Sequence, residues 1–325
     1  MIYHRGLRPA ISGEVARRIY PIWFKMNSSL VQHAVGSEST SNLPAFAPPL
    51  WLWPNILSLD APAIAVAWLA LIAIATGARV EPATVAALGL TVWLIYVADR
   101  VLDGMKAEVL STARHLFYRR YRVQMTVWFL LTAVVTAWLS LKYVNPAVIH
   151  GSTRLGAAVA IYFAAVHLAP PAIQRRWPKE LVVALIFAAG AWLPVWCEAH
   201  LIATRFAVPF LLLAASLWIN AVGIECWERT SEAEARVAME PALTRFVATH
   251  LGPIAAAIAV TSTCLCLADP KPFAARSLYA AIAMSAIALA GLEASHRRIT
   301  LPLLRVLADV ALLTPLLLLP LGFGR

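Results

Sequence analysis

The chain has 325 residues, 61% hydrophobic and only 14% charged, with a mean hydropathy of +0.72 and a formal net charge of +10. A soluble globular chain carries about 25% charged residues, so composition excludes an ordinary water-soluble domain. The positive charge is explained by the positive-inside bias and by anionic membrane lipid, and no nucleic-acid partner is expected.

Residues 1–50 read as a cytoplasmic arm and linker. From Met1 to Asn27 the chain is basic and mixed, with no continuous apolar core of a cleaved signal, and a surface helix is expected around Glu14 to Lys25. The Ser- and Pro-rich stretch Gly36 to Pro49 is a connector, and Trp51 and Trp53 suit a membrane interface. Residues 51–325 read as a transmembrane domain. Apolar runs at 57–77, 83–101, 123–144, 154–173, 181–199, 206–227, 248–268, 274–292 and 302–322 each approach the ~20 residues that cross a bilayer as a helix. The fold expected is therefore all-α and polytopic, with about nine transmembrane helices. "HLAPPAI" interrupts the fourth run at Pro170 and Pro171.

Lys and Arg crowd alternate loops. Arg100, Lys106, Arg114, Arg119, Arg120, Arg122, Arg175, Arg176, Lys179, Arg229, Arg297, Arg298 and Arg305 fall on the side of the N-terminal arm. That bias favours a cytoplasmic N-terminus. The cysteines Cys197, Cys226, Cys264 and Cys266 lie in or beside apolar runs with no zinc-type spacing, and read as unpaired buried thiols.

Two acidic clusters close apolar runs on that same side. In "WLIYVADRVLDGMKAE", Asp99 and Asp103 are four residues apart, about 40° apart on one helical face, with Tyr96 on the adjoining stripe. Two carboxylates this close repel unless a cation lies between them. Mg²⁺ suits such a pair, because it takes oxygen ligands and keeps waters that a phosphate replaces. In "LWINAVGIECWERTSE", Asn220, Glu225 and Glu228 share one broad arc, and an amide inside an apolar run needs a partner. Each cluster equally fits a helix leaving the membrane. Arg114, Arg119 and Lys179 share the side of both clusters and suit a diphosphate; topology alone also explains such residues. Three further features lie within the apolar runs. Asp60 opens the first, Arg305 and Asp309 form an i, i+4 ion pair in the last, and His167 is a packing residue.

The arrangement resembles the UbiA superfamily of intramembrane prenyltransferases. The resemblance rests on "IYVADRVLD" (Ile95 to Asp103) at the end of the second span, where the superfamily signature is NDxxDxxxD. Asp99 and Asp103 match its last two acids, and Ile95 and Tyr96 stand where the signature has Asn and Asp. Asn220, Glu225 and Glu228 fall loosely on the second signature, of DxxxD type, at the end of the sixth span. Arg175 to Trp196 looks like the basic loop and following helix.

The resemblance implies nine helices around a central lipid-facing cavity, with the site on the cytoplasmic side. It implies a Mg²⁺-dependent prenyltransferase acting on a prenyl diphosphate and a lipophilic acceptor. Asp99 and Asp103 would hold one Mg²⁺, and Glu225, Glu228 and Asn220 another. Arg100, Arg114, Arg119 and Lys179 would bind the diphosphate. Tyr96, Trp93, Trp218 or Trp227 would face the allylic cation. Two alternatives stand beside it. One is a terpene cyclase on the same scaffold; the other is a transporter or lipid-binding protein without chemistry.

Overall fold

The computed structural model describes residues 48–106, 113–170, 177–198, 206–228, 241–269 and 273–322. The expected surface helix around Glu14 to Lys25 and the loop arginines Arg175 and Arg176 lie outside the described residues. Every regular element described is helical. In chain order these are α1 (Trp53–Ile56), α2 (Asp60–Thr76), α3 (Pro82–Lys106), α4 (Ala113–Arg120), α5 (Arg122–Tyr143), α6 (Pro146–His167), α7 (Lys179–Glu198), α8 (Ala207–Glu228), α9 (Ala242–Thr249), α10 (Leu251–Ala268), α11 (Phe273–Ser295), α12 (Leu301–Ala311) and α13 (Pro315–Gly322).

Eight spans among the described residues are long and apolar enough to cross a membrane, and a bent pair makes up to nine. The protein is a multi-pass integral membrane protein. The bent pair is Leu50–Ile56 with Asp60–Thr76, which meet at 78°. Ser58 makes this corner with a φ of 54°, a left-handed conformation that costs a non-glycine residue energy and persists only where its surroundings hold it. Two contacts hold it here. The buried Ser58 Oγ meets Tyr118 Oη at 3.3 Å, and Trp93 Nε1 donates to the Leu57 carbonyl at 3.0 Å.

Helix ends follow local chemistry. α2 opens with Asp60, whose Oδ1 accepts the Ala61 N–H at 3.0 Å, placing a carboxylate where the helix dipole favours it. It closes on Gly77, whose φ of 70° only glycine adopts without strain. α6 begins eight residues before the apolar run suggested. Asn145 caps it by accepting the Ala147 N–H at 2.9 Å, and Pro146 takes the first turn, where its missing N–H costs nothing. It ends at His167, ahead of the prolines. The last span is interrupted between α12 and α13. There Trp68 Nε1 donates to the Leu312 carbonyl at 3.0 Å, and Thr314 Oγ1 donates to the Ala281 carbonyl at 2.9 Å. Polar backbone freed inside an apolar bundle must be satisfied by its neighbours.

The core is built from α2, α7, α8, α10, α11 and α12. Its tightest surfaces are small. Ala184, Ala188 and Ala191 on α7, Ala281 and Ala286 on α11, and Ala308 on α12 are all buried, and small residues let helices approach where apolar surface alone gives no drive in lipid. Trp68, Trp192 and Ile282 fill the space between them. At Gly151 of α6 an added Cβ would lie 3.1 Å from Leu193 Cδ1 and 3.2 Å from Cys197 Sγ, so α6 and α7 meet where there is no side chain. α5 instead exposes Val127, Trp128, Leu131, Val134 and Trp138, the apolar outer face that lipid covers.

Candidate functional site

Sequential spans alternate in direction, so the ends of α3, α6 and α8 share a side with the starts of α2, α7 and α12. Charged side chains from all of these meet there. On α3, Asp99 Oδ2 lies 3.6 Å from Arg100 Nη1 and Oδ1 lies 3.6 Å from His167 Nε2 of α6. His167 also stacks on Phe163, so it packs as expected and in addition faces an acid. On α8, Glu228 Oε1 meets Arg305 Nη2 of α12 at 2.7 Å. Glu225 Oε1 meets Lys179 Nζ of α7 at 3.3 Å. The two glutamates therefore serve different neighbours, α12 and α7.

Lys179 also reaches Glu180 at 3.6 Å, and the buried Glu180 hydrogen-bonds with Glu225 and accepts from Thr244 Oγ1. Glu180 was not singled out in the sequence. Its signal is an acid in the first turn of an apolar helix directly after Pro178.

Asn55 Nδ2 donates to Asp60 Oδ2 at 2.6 Å and to Asp309 Oδ2 at 3.1 Å. The one amide nitrogen thus brings the two carboxyls side by side. The expected mutual pair of Arg305 and Asp309 is thus replaced. Arg305 turns to Glu228 across the helix interface, and Asp309 joins Asp60 and Asn55, although Arg305 still lies within its electrostatic reach. Tyr96 sits among Asp60, Asp309, Arg100 and Asp99.

Arg114 on α4 is 8% exposed. Its electrostatic neighbours are Arg100, Arg305, Glu228 and Asp60, yet it makes no hydrogen bond or ion pair among the described residues. Burial pushes its pKa down, and Arg100 and Arg305 push the same way against Glu228 and Asp60. Burial likewise raises the Tyr118 phenol one turn further along α4, against the hydrogen bond from Ser58.

Of the residues expected from the sequence, Asp99, Arg100, Tyr96, Arg114, Glu225, Glu228 and Lys179 gather at this end. Asn220 lies one to two turns deeper on α8, 7% exposed, with Oδ1 lacking a hydrogen-bond partner among the described residues. Arg119 is exposed on α4 and takes no part in these contacts. Asp103 lies on α3 one turn beyond Asp99, and its side chain is outside the described set. Among the described residues no three His, Cys, Asp or Glu side chains converge as a metal cluster. Asn55, Asp60, Arg305 and Asp309 join the site beyond those expected. The signal for the three charged residues was the rarity of ionisable residues in membrane spans.

Comparison with protein-family models, curated proteins and solved structures finds no match to this chain.

Proposed function

We propose that the protein is an intramembrane, Mg²⁺-dependent prenyltransferase of the UbiA type, joining the isoprenoid of a prenyl diphosphate to a lipophilic acceptor. Arg114 is the observation that carries this reading. A buried guanidinium without an ion pair is unfavourable by several kcal/mol, and two more guanidiniums nearby raise that cost. A phosphate-bearing ligand removes it, because Arg holds phosphate through paired charge-assisted hydrogen bonds. The apolar helices around the site suit an isoprenoid tail.

Charge balance supports a metal partner. Three guanidiniums (Arg100, Arg114, Arg305) face Asp99, Glu228 and the Asp60 and Asp309 carboxyls. A site so nearly neutral admits a polyanion together with its own cations. The donor chemistry fits Mg²⁺: Asp99, Glu225, Glu228 and the Oδ1 of Asn220, unpartnered among the described residues, are hard oxygens, and Asp103 follows Asp99 by one turn of α3. Bound there, Mg²⁺ supplies neutralisation of the charge that develops on the leaving diphosphate.

The chain does the rest. Arg100, Arg114 and Arg305 hold the diphosphate, and Lys179 stands ready at its flank. Tyr96 and Trp93 present aromatic faces to the allylic carbon. The packed apolar helices keep water away. On the positive-inside rule the N-terminus and the site lie on the cytoplasmic side.

The test is diphosphate release by the purified full-length protein from a panel of prenyl diphosphates, with Mg²⁺ and with EDTA. Metal-dependent turnover, lost in Asp99→Asn and Glu228→Gln, is the expected result. A folded protein that turns over no donor refutes the reading. A cyclic product formed without acceptor assigns the scaffold to cyclisation instead.

A further inference from the structure

Prenyl transfer to an acceptor releases a proton, and the groups above bind charge without accepting it. Asp60 and Asp309 come from opposite ends of the sequence and meet through hydrogen bonds from the buried Asn55. Their depth is informative. α12 runs away from the charged end and α3 runs toward it. Asp309 is four residues past Arg305 and Tyr96 is four before Arg100, so each lies about 6 Å deeper than the arginines. The pair therefore sits on the apolar side of the guanidiniums, where the reacting end of a prenyl chain lies when its diphosphate is held by them. Arg114, nine-tenths buried and unpaired among the described residues, is within electrostatic reach of both Asp60 and Asp309 but beyond ion-pair distance.

We propose that the Asp60–Asp309 pair is the proton acceptor of this site, taking the proton of an acceptor that attacks through a hydroxyl oxygen. This rests on the prenyl-transfer reading. The C1–O bond of the donor breaks, and its electron pair leaves with the diphosphate. The acceptor's hydroxyl oxygen bonds to C1 and passes its proton to the pair, which then holds one proton more. Release of one proton to water restores the starting state. Asn55 is a positioning residue that keeps one oxygen of each carboxyl occupied. The charged and titratable groups facing the pair are Tyr96 on α3, Arg114 and Tyr118 on α4 and Arg305 on α12.

The experiment uses the full-length protein in vesicles with geranylgeranyl diphosphate as donor and water as the acceptor, so that prenol is the product. Asp309→Asn and Asp60→Asn are expected to slow prenol release about 100-fold, the usual worth of a positioned base. Pyrophosphate affinity is expected to stay nearly constant, because the lost interaction belongs to the chemical step. The wild-type rate falls as acid protonates the pair, and that limb disappears in the variants; Asp60→Glu restores it. Infrared spectra of the wild type at neutral pH show the carbonyl stretch of a protonated carboxyl, which Asp309→Asn removes. This arm needs no turnover and stands even where one variant fails to fold. Variants with the wild-type rate and pH profile, or a wild type without that stretch, overturn the assignment. A folded wild type that neither binds pyrophosphate nor consumes the donor refutes the prenyl reading, and the proton-acceptor role falls with it.

Discussion

Replacing Arg114 by Met separates a ligand-binding arginine from a structural one. The side chain is 8% exposed and unpaired among the described residues. Met keeps a long apolar stem in the same space and removes the charge. An unpaired buried ion costs several kcal/mol. Glu228 and Asp60 offset part of that at longer range, and Arg100 and Arg305 add to it. The net expectation is a ligand-free protein more stable by about 1–3 kcal/mol. Binding moves the opposite way. A charge-assisted hydrogen bond contributes about 1.5–3 kcal/mol, which is about 10- to 100-fold in affinity for magnesium pyrophosphate. Denaturant unfolding in detergent reads the first quantity, and calorimetric titration the second. An Arg114→Met protein that is less stable than wild type, with unchanged pyrophosphate affinity, would show that the guanidinium serves the fold and refute the argument.

Two further outcomes follow from specific contacts. Glu228→Gln leaves Arg305 facing a neutral amide and should destabilise by about 1–3 kcal/mol, below the 3–5 of a fully buried pair because Glu228 is 30% exposed. The double variant Glu228→Gln/Arg305→Met should recover most of that loss in the same unfolding assay. Trp68→Phe keeps the buried ring but strands the Leu312 carbonyl at the break in the last span, at a cost of about 1–3 kcal/mol. Hydrogen exchange at the α12–α13 junction should rise with it.

Several features were legible because they depend on local pattern. Run length gave the spans, and the side shared by Asp99 and Glu228 follows from counting them. What was missed depends on partners that periodicity cannot supply. The start of α6 moved because Asn145 and Pro146 form a helix cap and first turn inside a stretch that reads as loop by hydropathy. Arg305 and Asp309 satisfy the i, i+4 rule for a local pair, yet each found a better partner on another helix. A short cross-helix contact outweighs an intrahelical pair, which contributes only about 0.2–0.5 kcal/mol. Asn55 carried no signal at all, because its role exists only once Ser58 turns the chain.

That turn connects the fold to the chemistry. A continuous first span would leave Asn55 a turn and a half from Asp60 on the same rod, facing away from it. The left-handed Ser58 folds α1 against the start of α2. One amide then bonds both Asp60 and Asp309. The same corner is braced by Tyr118 of α4 and Trp93 of α3. Tyr118 lies one turn from Arg114, and Trp93 three residues from Tyr96. The elements that hold the strained corner therefore also carry the guanidinium and the phenol that face the carboxyl pair. Relaxing Ser58 would move the carboxyl pair, the guanidinium and the phenol together, so strain at a single residue is coupled to the geometry of the whole site.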